Sequence, residues 1–460
     1  MDTDSKANQF NAATAIERIP VLRLSAQLES RPVRLKIEKL VYGGDGLARL
    51  PADEHGPGKT VFVPLVLEGE EVEAILAEHK PGFARASLER VAVASPHRVE
   101  PGCPYFQRCG GCHYQHAGYE HQIRIKGQIL RETLRRTAKV ELASELQVHA
   151  AREWGYRNRT RLRVRTAPEF ALGYYRLRSH ELMPVELCPI SSPLINRAIA
   201  AVWQRGRAGE LPAAVRELEF FADHTDALLL VEAYCEPRTS RADAQTAADK
   251  LASITPEVTG VVVFDESPAN QILEPKRLAA SGKTEISYQT RLGSYRVSAG
   301  AFFQVNRFLI NELVDIVTGG ASGQLALDLY AGVGLFAVPL AQNFAQVIAV
   351  EASQTSYADL RHNAGQEVKA VRATTAQYLD QASGPDLVVA DPPRGGLGEN
   401  VVRSLARLGA PRMTYVSCDP STLARDLRTL LSLGYWIEGA HMIDLFPQTY
   451  HIESVFHLAR

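Results

Sequence analysis

A cysteine stands between a strand-like run and a helix start in MTYVSCDPSTLARDL (413–427). Asp419 suits a helix N-cap and Pro420 the first helical position. Cys418 is therefore expected beside a helix N-terminus, whose partial positive charge favours thiolate, the nucleophilic form. The plainer reading is a small buried hydrophobe at a strand end. Glu453 sits in the otherwise apolar run HIESVFHL, a costly place for a carboxylate unless it has a partner or a task. The alternative is an edge-strand glutamate facing water. Asp391 follows the apolar run LVVA and opens Asp-Pro-Pro-Arg-Gly-Gly. Ligands of open α/β sheets bind at the carboxyl ends of strands, so Asp391 is expected in that crevice rather than on a rigid, solvated turn.

A cofactor loop precedes these residues. LALDLYAGVGLFAVPLA (325–341) reads as strand, glycine turn and helix, with Gly332 and Gly334 allowing close backbone approach to a ligand. Glu351 ends the next strand, 23 residues after Asp328, where an acid can accept hydrogen bonds from ribose hydroxyls. Phe336 and Ala337 stand where a dinucleotide loop has its third glycine, which favours S-adenosyl-L-methionine over NAD.

A thiol, a carboxylate and a methyl donor together point to methylation at carbon 5 of uracil. That carbon is a poor nucleophile until a thiolate adds to carbon 6. The resulting enolate can attack a sulfonium methyl, and a base must then take the carbon 5 proton so that the thiol can leave.

These residues need a large scaffold. At roughly 150 residues per domain, 460 residues make about three domains. Hydrophobic residues at 45% and charged residues at 22% exclude a largely disordered chain. The net charge of -1 predicts no partner by itself. No apolar run reaches the ~18 residues of a bilayer span, and the first residues lack a signal-peptide core, so a cytoplasmic protein without membrane contact is expected. No obligate protein partner is evident, and a monomer is the default. Residues 1–30 are polar and aperiodic, read as a flexible tail. Short strands over 31–95 fit a small OB-type β-barrel. Mixed α/β text fills 96–300, including a basic helix near 119–139 that could pack on the catalytic domain. From 301 to 460 strands and helices alternate as in an open, mostly parallel sheet.

Two further patterns stand out. Cys103, Cys109 and Cys112 are spaced C-x5-C-x2-C around Gly110 and Gly111, and Cys188 is the natural fourth ligand 76 residues on. Four thiolates could hold zinc or an iron–sulfur cluster, and the spacing does not choose. Cys235 reads as a core residue. Residues 152–178 hold eight arginines against two acids. Arg157, Arg159, Arg161, Arg163 and Arg165 alternate, so one strand face would carry them toward a phosphate backbone, with Tyr174 and Tyr175 able to stack bases. The alternative is a solvated sheet face.

From about 33 to 460 the chain resembles the RNA uracil-5-methyltransferases, in the branch of 23S ribosomal RNA enzymes with a TRAM domain. The motifs are YGGDGLAR with KTVFVP, CPYFQRCGGCHYQH, FFQVN, LDLYAGVGLF, DPPRGG, VSCDPSTLARDL and FPQTYHIESV. The resemblance implies a Rossmann-like class I methyltransferase domain (301–460), an N-terminal OB-type barrel (TRAM, 31–95) and a central α/β domain carrying an iron–sulfur loop. It places the nucleophile on Cys418 and the proton-abstracting base on Glu453. S-adenosylmethionine contacts fall on Gln304, Tyr330, Glu351 and Asp391, and Phe302 falls near the target base. It implies a 4Fe–4S cluster on Cys103, Cys109, Cys112 and Cys188, and an RNA substrate, with ribosomal RNA favoured over transfer RNA. Departures stand at Ala331, Leu335 and Gln377, near the cofactor. Two other readings compete: an RNA-binding iron–sulfur protein with a vestigial methyltransferase domain, and an amino-group methyltransferase, which needs no cysteine.

Overall fold

The computed structural model describes residues 31–51, 58–142, 145–266, 274–382 and 384–460; the tail expected over 1–30 lies outside them. Alternating sequences build the first sheet: in TVFVP of the Thr60–Pro64 strand, Val61 and Val63 point inward and their neighbours outward. Six strands pair in the order Val33–Lys36, Glu71–His79, Phe83–Val93, Thr60–Pro64, Asp45–Arg49, Lys39–Leu40. The Glu71–His79 and Phe83–Val93 pair carries three register shifts, which bend and twist the sheet around its small core. Inside it, a Cβ on Gly46 would lie 2.3 Å from Val66, so only glycine fits there.

The central body is a seven-stranded sheet, Leu182–Pro184 through Arg277–Gly282, covered by the helices Pro193–Arg207 and Arg241–Ala252. Its inner strand Leu229–Cys235 is buried along its whole length. Cys235 is fully buried in that core.

The C-terminal sheet has eight strands in the order Val368–Arg372, Phe344–Glu351, Gly323–Leu329, Leu387–Ala390, Arg412–Ser417, Glu453–Ala459, Trp436–Ile443, Gln147–His149. The first five run parallel, and Glu453–Ala459 enters antiparallel to both neighbours. The strand order reverses between Gly323–Leu329 and Leu387–Ala390, the switch point at which α/β sheets open a ligand crevice.

Chain order and spatial order part company around this sheet. Gln147–His149 pairs in parallel with Trp436–Ile443, although it lies within the stretch read from sequence as central domain. The Tyr119–Thr133 helix also packs here. Its buried Lys126 Nζ meets Asp444 Oδ1 at 2.6 Å, and Gln122 exchanges two hydrogen bonds with Gln448. The Glu285–Thr290 and Gly293–Ser298 hairpin is tied to the Gln354–Ala364 helix through Arg296 and Asp359. Among the described residues no helix is long and apolar enough to cross a membrane.

Candidate active site

Cofactor-type residues collect at the carboxyl end of the Gly323–Leu329 strand. Tyr330, Gly332 and Gly334 all adopt positive φ, which turns the chain sharply toward the next helix. A Cβ on Gly334 would come within 2.9 Å of Leu360, whereas Gly332 faces open space. Glu351 holds this loop: its carboxylate accepts from the backbone N–H of Gly332 (2.8 Å) and of Ser353 (2.7 Å). Each oxygen keeps a further lone pair for a ligand hydroxyl. Burial raises the Glu351 carboxyl above the usual range, against these hydrogen bonds.

Asp328 is the residue that sequence reasoning passed over. It is fully buried in its strand, and neither carboxyl oxygen has a hydrogen-bond partner. Burial, reinforced by Asp391 and Glu351, holds its pKa far above an ordinary carboxyl. A buried acid without a partner, one residue from the end of its strand, is costly unless it has a task. The signal was present: an acid in the apolar run LALDLY is as costly as Glu453 in its own strand.

Asp391, Cys418 and Glu453 come from three adjacent strands. Asp391 follows the Leu387–Ala390 strand, and burial lifts its pKa to about 7. Its loop is pinned where Gly396, at φ +72, leaves room for Asp426, which accepts from Leu397 N at 2.7 Å. Cys418 follows the Arg412–Ser417 strand. Asp419 caps the Pro420–Ser432 helix, accepting from Ser421 N and Thr422 N. Ser417 is registered opposite Ser454, so the next step of the ladder sets Cys418 against Glu453. Glu453 is only 5% exposed; burial and then Asp391 hold it protonated well above the usual carboxyl range.

The expected acidified thiol is corrected here. Burial, then Glu453 and Asp391, push the Cys418 thiol up to about 12, and Arg394 opposes them only in part. The helix N-terminus is outweighed first by burial and then by carboxyls that other strands deliver.

Phe302 and Gln304 arrive on a loop from the central body. Phe302 is 66% exposed, an unusual state for a large aromatic, while Gln304 is buried and its carbonyl accepts from Asn158 Nδ2. Arg159 sets this loop by donating to the Ala301 carbonyl, and Glu232 accepts from Gly300 N at 3.0 Å. Arg159 is thereby corrected from a phosphate contact to a buried brace, paired with Glu219 and, at 2.8 Å, with Glu232. Arg161 pairs with Glu217 and lies 3.6 Å over the Tyr234 ring. Arg163 is shared between Glu217 and Glu266. Arg157 turns toward the cysteine cavity, its Nε donating to the Arg159 carbonyl. The arginine row is thus largely neutralised by glutamates of neighbouring strands.

Cys103, Cys109, Cys112 and Cys188 line one cavity of about 250 Å³, and none is in a disulfide. Burial raises the thiols of Cys103, Cys109 (to about 11) and Cys112, and the proximity of Cys188 adds to it. Among the described residues no group of three or more His, Cys, Asp or Glu is placed to hold a metal ion, so the structure does not show the expected cluster on these four cysteines. The thiols line the cavity wall as a sulfur-only donor set, the ligand chemistry of soft metals. Tyr42 was not foreseen as part of the site. It leaves the N-terminal sheet to donate from its hydroxyl to the Cys418 carbonyl at 3.4 Å.

Comparison with known proteins agrees with this architecture. The family model described as tRNA (Uracil-5-)-methyltransferase matches residues 118–385 and 381–460, and the TRAM domain model matches 28–88. A 23S rRNA (uracil(1939)-C(5))-methyltransferase of Halomonas elongata is 33% identical, over 92% of this chain and 88% of its own. An uncharacterized RNA methyltransferase of Aquifex aeolicus is 32% identical, over 93% of this chain and 98% of its own. In fold, the chain is similar to the Pyrococcus abyssi tRNA (uracil-54, C5)-methyltransferase solved with S-adenosyl-L-homocysteine. The TM-score is 0.72 and the identity 23%, over 93% of this chain and all of that one.

Proposed function

The chain belongs to the uracil-5-methyltransferase family and carries its TRAM domain, and we propose that it methylates carbon 5 of a uridine in RNA through a covalent Cys418 adduct. When bound, S-adenosylmethionine supplies the methyl group as an electrophilic sulfonium. The observation that carries the reading is the cross-strand placement of Cys418 and Glu453 beside Asp391, at the end of a crevice built by Glu351 and the 330–334 turn.

The Cys418 thiol first gives up its proton to solvent; the sulfur then bonds to carbon 6, the ring electron pair moves to carbon 5, and carbon 5 takes the methyl as the sulfonium donor leaves as a neutral thioether. Glu453 then receives the carbon 5 proton, the carbon 6–sulfur bond breaks, and the thiolate departs. A protonated Glu453 must first lose its proton. A cationic ligand beside Asp328, Asp391 and Glu351 favours ionisation of the whole acid cluster. Phe302, exposed at the mouth, offers a ring to an unstacked base, since a uridine in folded RNA must leave its stack to reach Cys418. Gln304 and Tyr330 complete the cofactor wall.

Cys103, Cys109, Cys112 and Cys188 hold a 4Fe–4S cluster in this reading, which when bound supplies iron–thiolate cross-links between the loop and the Cys188 segment. The loop's own backbone matters as well. His113 N and Tyr114 N both donate to the Gln448 carbonyl, at 2.8 and 3.0 Å, and so hold the segment that leads into Glu453. Ribosomal RNA is the favoured substrate, following relatives named for 23S rRNA at 31–33% identity, and the protein acts in the cytoplasm. The test is methyl transfer from labelled cofactor to 23S ribosomal RNA and to transfer RNA, with nucleoside digestion. Label in 5-methyluridine from ribosomal RNA supports the reading; label in a methylated amino group, or none, removes it.

A further inference from the structure

A cleft of about 580 Å³ opens where the N-terminal sheet, the cysteine loop, the central hairpin and the 444–451 segment meet. Flat rings and cations line it: Tyr175, His113 and Tyr450, with Arg178 at the rim. The His113 ring stands edge-on to Tyr450, with centroids 4.5 Å apart, and its Nδ1 has no hydrogen-bond partner. Gly43 keeps one wall low, at φ +105 with nothing within 4 Å of an added Cβ. Asp45 is the carboxylate on this wall and pairs with Arg178 and, at 3.0 Å, with Arg85 behind it, while Arg176 of the same wall pairs with Glu181 at 3.2 Å.

Aromatic rings with a guanidinium beside them are how proteins hold an unpaired nucleotide: rings take the base, and Arg178, which now pairs with Asp45, can turn to a phosphate. The position matters as much as the lining. Tyr450 forms a wall of the cleft and also packs edge-to-face on Tyr42, with ring centroids 5.5 Å apart at 89°. Tyr42 in turn donates to the carbonyl of Cys418. The cleft is thus two side chains from the nucleophile.

We propose that this cleft is a second base-binding subsite, taking an unstacked nucleotide that lies near the target uridine in the same RNA strand. The proposal rests on the RNA-methylation reading. A base seated on Tyr450 fixes that ring against Tyr42 and so steadies the backbone that presents Cys418. The enzyme would recognise a displaced pair of nucleotides, one in each site.

The test scans wild-type enzyme against RNAs carrying a single abasic nucleotide at each position around the target. One flanking abasic site should raise KM roughly five- to a hundredfold, the range of one lost stacking contact. Tyr175→Ala and Arg178→Gln should raise KM for intact RNA by a similar factor, and should no longer respond to that same abasic site. Thermal melting and cofactor binding check that the variants are folded. If every abasic RNA behaves as intact RNA, or the abasic penalty persists undiminished in both variants, the subsite is overturned. Should a variant fail to fold, the wild-type scan alone still decides. Failure of wild-type enzyme to methylate any uridine would instead refute the underlying reading, a result distinct from methylation that ignores the flanks.

Discussion

Cys418 and Glu453 oppose one another across an antiparallel strand pair, one step beyond the registered pair Ser417 and Ser454. Facing positions on one sheet bring these two side chains together without any loop having to close. The arrangement has an electrostatic consequence: burial raises Asp391, Glu453 and the Cys418 thiol, and Asp391 raises the other two further.

Asp391 gives this a pH signature. Its pKa in the fold is about 7, above the ordinary carboxyl value of 3.8. A raised carboxyl binds its proton more tightly folded than unfolded, so its contribution to stability is present at low pH and lost as pH rises through about 7. Asp391→Asn should therefore raise the Tm of ligand-free protein by several degrees at pH 8, with the gap narrowing toward pH 4. It should weaken cofactor binding at the same time. Melting curves across pH, with calorimetric titration of cofactor, check both.

The arginine row separates structure from surface. Arg159→Ala leaves Glu219 and Glu232 without their buried partner and should cost about 3–5 kcal/mol in denaturant unfolding. Arg161→Ala removes an ion pair whose arginine is 43% exposed and should cost less than about 1 kcal/mol. Equal effects would contradict the burial of Arg159.

Metal content distinguishes the cysteines. Anaerobically purified protein should carry iron and acid-labile sulfide, and serine at Cys103, Cys109, Cys112 or Cys188 should remove most of both. Cys235→Ser, in the central core, should leave them unchanged while lowering stability. Zinc in place of iron would refute the cluster.

What was legible in the sequence was local. Strand, glycine turn and helix over 325–341 announce themselves, because the turn residues and the apolar run are contiguous. The Asp419 cap with Pro420 behind it is a signal two residues long, and the structure places both as read. What failed was whatever another segment supplies. Five alternating arginines look like a cationic face until the Val215–Ala222 strand pairs beside them, with Glu219 opposite Arg161 and Glu217 opposite Arg163. The Cys418 thiol looks acidified until Asp391 and Glu453 arrive from neighbouring strands. Tyr42, 376 residues from Cys418, carries no local mark of its role. The three-residue strand Gln147–His149 is too short to declare its sheet.

The central claim is a transient bond between the Cys418 sulfur and the pyrimidine ring. The most direct measurement incubates the enzyme with cofactor and RNA containing 5-fluorouridine at the target, followed by denaturing electrophoresis and mass spectrometry. Fluorine blocks proton removal, so a denaturation-resistant protein–RNA adduct should accumulate, already methylated, attached at Cys418 and absent from Cys418→Ala. Glu453→Gln should trap a similar adduct on ordinary uridine RNA. Turnover on ordinary RNA with no adduct on the fluorinated substrate, or an adduct that survives Cys418→Ala, would contradict the account.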